Sequence, residues 1–188
     1  MIKPLMGMKV AILAANGFTE QNFIDIQKNL LEQGAVLRII STNQGLVNGW
    51  DGVGWGHNFA VDAPLNTALG VDYDALIIVG GTRSLDKLKL TAHTRRFIGS
   101  FMAAQKPTIV MEDALHLMIH TEQLNHCVVT GDASMKEVCE TSGATWKEES
   151  FHQDGMLLTG HYDDSNKEAY LMTMNDMLAQ NIKLAQAA

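Results

Sequence analysis

Four short apolar runs, each closed by a turn, most constrain what this chain can fold into. Val10-Ala11-Ile12-Leu13-Ala14-Ala15, Val36 to Ile40, Ala75-Leu76-Ile77-Ile78-Val79 and Thr108 to Met111 are continuous rather than alternating. That is the pattern of strands buried on both faces. Helical spacing fills the stretches between them. Phe23, Ile26, Leu30 and Leu31 share one face of a helix predicted from about Thr19 to Gln33, with Gly34 as its C-terminal cap. Phe97, Ile98 and Phe101 share a face over Thr91 to Ala104. Strands alternating with helices imply right-handed crossovers. The predicted class is therefore α/β, a three-layer sandwich whose mostly parallel sheet carries helices on both faces.

The remaining segments fit this plan. Between Gln44 and Pro64, five glycines (45, 49, 52, 54 and 56) accompany Trp50 and Trp55, which predicts a hairpin excursion returning through Phe59-Ala60-Val61. The two tryptophans either cover the local core or form an interface, where aromatic residues concentrate. A helix is predicted to start at Ala114, a short strand at Cys127 to Thr130, and a helix over Ala133 to Thr141. Trp146 to Phe151 and Met156 to Thr159 flank a hairpin turn at Gln153-Asp154-Gly155. A last helix runs from about Ser165 to Gln186. No linker or repeat interrupts the chain, so 1–188 reads as one domain with 1–7 as a loose leader before the first strand.

Composition narrows the function classes. The 188 residues suffice for a sizeable core. The net charge of −7 argues against a nucleic-acid or anionic-membrane surface, which needs clustered Lys and Arg. No apolar run reaches the roughly 20 residues that span a bilayer. Two cysteines, Cys127 and Cys139, imply no disulfide framework. The expectation is a cytoplasmic protein without nucleic-acid or membrane partners, and nothing in the sequence calls for a cofactor or a metal.

In open parallel sheets, ligands bind beyond the carboxyl ends of the strands. Asn16 to Asn22, Gly80 to Ser84 and Glu112 to Ala114 converge on that edge. Lys106 to Leu115 reads as a strand, a tight turn and a helix. In many α/β hydrolytic enzymes such a turn carries a Ser or Cys nucleophile; here it carries Glu112 between Met111 and Asp113.

These segments resemble the ThiJ/PfpI superfamily. The resemblance runs through Leu13-Ala14-Ala15-Asn16-Gly17-Phe18, the helix to Gly34, the Gly45/Gly49 hairpin and Asp72 to Gly81. It continues through Lys106-Pro107, Val128-Val129-Thr130, Gly143-Ala144-Thr145-Trp146 and Asp154 to Thr159. It implies a class I glutamine amidotransferase-like, flavodoxin-like fold, and a homodimer. Members usually read A-x-C-H-G at the turn, with a first-helix Glu bonded to the Cys and two glycines supplying oxyanion donors. In this chain the Cys falls on Glu112, its neighbouring His on Asp113 and the first-helix Glu on Asn22, while Gly80 and Gly81 are kept. Lys106-Pro107 followed by Asp113-Ala114 is also similar to the C-terminal domain of large-subunit catalases, which lacks the Cys. The intracellular protease and amidase names of the family attach through membership, since the Cys-dependent mechanism behind them does not operate at Glu112.

Two readings of Glu112 stand. It caps the following helix and bonds Asn22, or it is a general base or a ligand for a cationic group. Glu112, His116 and His120 are spaced for one helical face, but that face is expected to pack on the sheet, so no metal site is assigned. His161, after a strand end, is a possible pocket residue, as is His116. Gly80 and Gly81 either offer N–H groups to an anion, with Arg83 adding charge, or form a plain turn. Three functions follow. The first is a non-classical member, a pseudoenzyme that binds a small molecule or a partner protein. The second is an enzyme with a rebuilt site, acting as hydratase, isomerase or amidase with Glu112 as base. The third is a structural or oligomerisation module.

Overall fold

The structure is a computed structural model that describes residues 3–187. In chain order the strands are β1 Lys9–Leu13, β2 Phe18–Thr19, β3 Val36–Ser41, β4 Leu46–Trp50, β5 Trp55–Ala60, β6 Ala63–Pro64, β7 Ala75–Ile78, β8 Thr108–Met111, β9 Val128–Val129, β10 Thr145–Trp146, β11 Phe151–Asp154 and β12 Leu157–Gly160. The helices are α1 Glu20–Gln33, α2 Thr82–Leu88, α3 Ala92–Ala103, α4 Leu115–His120, α5 Lys136–Thr141 and α6 Lys167–Ala187.

Seven strands form the central sheet in the order β11-β12-β8-β7-β1-β3-β6. All neighbours are parallel except β11, which runs antiparallel to β12. Each apolar run supplies side chains to both faces, as strand geometry requires. Val10, Ile12 and Ala14 join a core with Phe23, Ile26 and Leu30 of α1 and Tyr170, Met174, Met177 and Leu178 of α6. Ala11, Leu13 and Ala15 join the opposite core with Leu85, Leu88, Phe97, Phe101, Leu117 and Met118. The fold is the expected flavodoxin-like sandwich, with α1 and α6 on one face and α2 to α5 on the other.

Several local expectations change. Residues 3–7 are not a loose leader: Leu5 is fully buried and its N–H donates to the Gln33 carbonyl at 3.0 Å. An apolar side chain at that position gains more from the α1–α6 core than from water. Residues 1–2 lie outside the described residues. Trp146 pairs with β9 rather than entering the last hairpin, whose strands begin at Phe151 and meet across the two-residue loop Gly155-Met156. The helix predicted from Ala114 begins as a 3-10 turn, Glu112–Ala114, before the α-helix starts at Leu115.

Candidate functional site at the carboxyl edge of the sheet

Glu112 follows β8 with φ +53, in the left-handed region that side-chain-bearing residues seldom adopt. This sharp bend aims its side chain out of the sheet edge. The neighbouring strand decides what it meets. Gly160 of β12 pairs with Met111 in parallel register, so the next residues on the two strands, His161 and Glu112, come together. Glu112 Oε2 lies 3.1 Å from His161 Nδ1, and Oε1 accepts the Tyr162 N–H at 2.6 Å. Gly160 permits this close crossing, since a Cβ there would stand 2.4 Å from the Phe151 Cα.

The expected Glu112 cap is not formed. Among the described residues, no side chain caps the 3-10 turn or α4, and no hydrogen bond joins Glu112 to Asn22, which lies buried in α1. Both oxygens of Glu112 are instead engaged by His161 and Tyr162, the two residues after β12, which the parallel pairing of Gly160 with Met111 brings to the bend. The helical-face grouping of Glu112, His116 and His120 also fails. His116 is exposed, while His120 Nε2 lies 3.1 Å from the Lys89 carbonyl at the end of the short α4. Among the described residues, no three His, Cys, Asp or Glu side chains are placed to hold a metal ion.

Asp113 points the other way. Its Oδ1 accepts the Gly81 N–H at 2.8 Å and its Oδ2 the Thr82 hydroxyl at 3.1 Å. Gly81 is therefore corrected as an oxyanion donor, because its N–H is already satisfied by a carboxylate of the same chain. Gly80 sits beside this pair with φ +77. Arg83, one residue further, lays its guanidinium 4.2 Å from the Trp50 ring centroid. Trp50 meets Trp55 edge-on at 5.5 Å.

The surroundings of His161 are acidic and ordered. The Asn166 amide donates to the His161 carbonyl at 2.9 Å. Asp163 and Asp132 are held below the usual carboxylate range, first by hydrogen bonds from Ser165 and Ser134 and further by the nearby His161. Beneath lies Tyr170, fully buried with a hydroxyl that has no hydrogen-bond partner among the described residues. Burial first, and then the Glu112 charge, push its phenol upward. Tyr162 OH donates to Asp25 at 3.3 Å, and Lys167 pairs with the same carboxylate at 2.5 Å.

Neither thiol reaches the bend. Cys127 precedes β9 and Cys139 is buried in α5. Burial raises both, Cys139 to about 11, which keeps them as neutral thiols. Sequence reasoning passed over Glu20. Its buried carboxylate accepts the His57 N–H at 2.8 Å and lies 2.5 Å from His57 Nδ1, fastening β5 to α1. The available signal was the pair Gly49 and Gly56, whose missing side chains leave room for it.

The DJ-1/PfpI family profile matches residues 8–174. General stress protein 18 of Bacillus subtilis (strain 168) is 29% identical over 162 residues, covering 85% of this chain and 92% of that protein. A ThiJ/PfpI domain protein from Brachyspira murdochii superposes with a TM-score of 0.80 at 16% identity, over 94% of this chain and 98% of its own. A two-domain protein from Anabaena variabilis, with DJ-1/ThiJ/PfpI-like and ferritin-like domains, gives a TM-score of 0.79 at 21% identity. That match covers 94% of this chain and 48% of the other, so this chain spans about half of its length.

Proposed function

The chain belongs to the DJ-1/PfpI family, and on that premise we propose that it is a member without thiolate chemistry, binding a small molecule at the carboxyl edge of its sheet. The single observation that carries this reading is Glu112 at φ +53. The residue at the strained bend is a carboxylate whose two oxygens hold the β12 end. A carboxylate so engaged makes a poor nucleophile, and both thiols lie elsewhere as protonated groups. In this reading Glu112 builds the binding edge, His161 faces the ligand, Asp113 ties the β7 turn to the elbow, and Asn22 borders the site from α1. The relation to the catalase C-terminal domain belongs to the same reading, carried by Lys106-Pro107 and Asp113-Ala114.

The protein acts in the cytoplasm as a homodimer. No helix among the described residues is long and apolar enough to cross a membrane. The 56% exposure of Trp55 and the 91% exposure of Val53 on the β4–β5 hairpin support a contact between copies. Sedimentation equilibrium of wild type and Trp55→Ser checks this, with a weaker dimer expected for the variant.

The test of the main reading is a screen of small aldehydes, amides and carboxylates by thermal shift, using wild type, a Cys127→Ser/Cys139→Ser double variant and His161→Asn. Ligands should stabilise the first two alike and the third less. Binding or turnover that disappears in the double-serine protein would sink the thiol-free reading.

A further inference from the structure

The opposite edge of the sheet, where β8 and β12 begin, holds a cavity of about 420 Å³. That volume lies within the roughly 300–1,000 Å³ of small-molecule sites. Four parts of the chain enclose it. Met102 comes from the end of α3 and Lys106 from the loop into β8. Asp154 and Met156 come from the β11–β12 hairpin, and Asn181 and Leu184 from the close of α6. Glu112 and His161 follow β8 and β12, so the length of these strands separates them from the cavity.

The lining is of two kinds. Met102, Met156, Leu157 and Leu184 form an apolar wall, and Leu184 is left 55% exposed. Covering such a wall removes apolar area from water. Two opposite charges line the same cavity. Asp154 Oδ2 accepts the Val128 N–H at 2.7 Å, and Oδ1 has no partner among the described residues. Lys106 Nζ donates to the Gly70 and Tyr73 carbonyls at 2.8 and 2.6 Å, which leaves one N–H of the ammonium. Among the described residues, neither charge forms an ion pair, and the side-chain amides of Gln105 and Asn181 make no hydrogen bond. Cys127 borders the cavity half-buried. After burial itself, the Asp154 charge is what raises its thiol, so the carboxylate stands close by.

This combination excludes simpler occupants. A hydrocarbon leaves both charges unmatched. A lone anion meets Asp154 and a lone cation meets Lys106, like against like. A zwitterion with an apolar tail matches every part of the lining.

We propose that this cavity binds a free α-amino acid with an apolar side chain, of the leucine or methionine type. The ligand carboxylate meets Lys106, its ammonium meets Asp154, and its side chain lies along Met102, Met156 and Leu184. Gln105 and Asn181 add hydrogen bonds at the rim. The site is separate from the carboxyl edge and does not rest on the reading of Glu112.

Two measurements test this on the full chain. Cys127 reports occupancy directly. Its alkylation by iodoacetamide, read by peptide mapping, should slow when L-leucine or L-methionine is present. Calorimetric titration then compares L-leucine with isocaproate, which lacks the ammonium, and isoamylamine, which lacks the carboxylate. Each analogue should bind at least about tenfold more weakly, because it leaves one charge of the site unmatched. Asp154→Asn keeps an oxygen for the Val128 N–H and removes the charge. It should weaken leucine about tenfold and spare isocaproate. Failure of both amino acids to bind or to protect Cys127 overturns the proposal, as does equal binding of leucine and either analogue. His161→Asn should bind leucine as wild type does. Loss of leucine binding in that variant overturns this site and places the ligand at the carboxyl edge instead.

Discussion

Asp113 Oδ1 sits 2.8 Å from the Gly81 nitrogen, so the elbow after β8 and the turn after β7 are one hydrogen-bonded unit. The same carboxylate takes the Thr82 hydroxyl. Asp113→Ala leaves the Gly81 N–H without its charged acceptor. The expected loss is about 1.5–3 kcal/mol, the range for hydrogen bonds to charged groups, read as a lower midpoint in urea unfolding.

Gly56 faces Glu20 so closely that an added Cβ would stand 1.6 Å from Oε2, and the three nearest atoms all belong to that side chain. Gly56→Ala must expel the Glu20 carboxylate and break both bonds to His57. A destabilisation of about 1–3 kcal/mol is expected, as for overpacked interiors. In a Glu20→Ala background the same substitution should cost much less. Chemical denaturation of the four proteins of this double-mutant cycle measures the difference.

His57 is pushed above its ordinary value of 6.5, first by the hydrogen bond to Glu20 and then by the Glu20 charge. A raised folded-state value means that the imidazolium contribution to stability is complete below 6.5. It is lost as pH rises through the folded-state value. The hairpin should therefore hold to α1 more firmly in mild acid than at alkaline pH. NMR titration of His57 in wild type and Glu20→Gln checks this, with a lower titration midpoint expected in the variant.

The Tyr170 hydroxyl is buried without a partner among the described residues, amid the rings of Phe151 and Tyr162. Tyr170→Phe keeps the ring and removes the unsatisfied group. Stability should stay level or rise by about 1 kcal/mol, because no hydrogen bond is lost and one desolvation cost disappears. A fall of similar size in calorimetric unfolding would show that the hydroxyl is satisfied after all.

The layers and the central strands were legible because their cause is local in the chain. Val10 to Ala15 and Ala75 to Val79 are apolar on both sides, so they had to be central strands. Phe23, Ile26 and Leu30 recur at helical spacing, so α1 had to present that face. The bend at Glu112 was legible for the same reason: a buried strand running directly into a helix needs a sharp turn. Short elements were harder. The seven residues of α2 show too few turns of periodicity, and Leu5 is a single apolar residue whose burial depends on how α1 ends.

What the sequence determined by itself was the kind of fold and the presence of an acid at its elbow. What that acid touches was decided by tertiary structure alone. Asn22, Gly81 and His161 all come from segments that converge on the same edge, and composition does not rank them. The pairing of Gly160 with Met111 ranks them, by setting His161 beside Glu112. Strand register is fixed by the whole packed sheet, at separations of about fifty residues along the chain, where no local pattern in the sequence reaches.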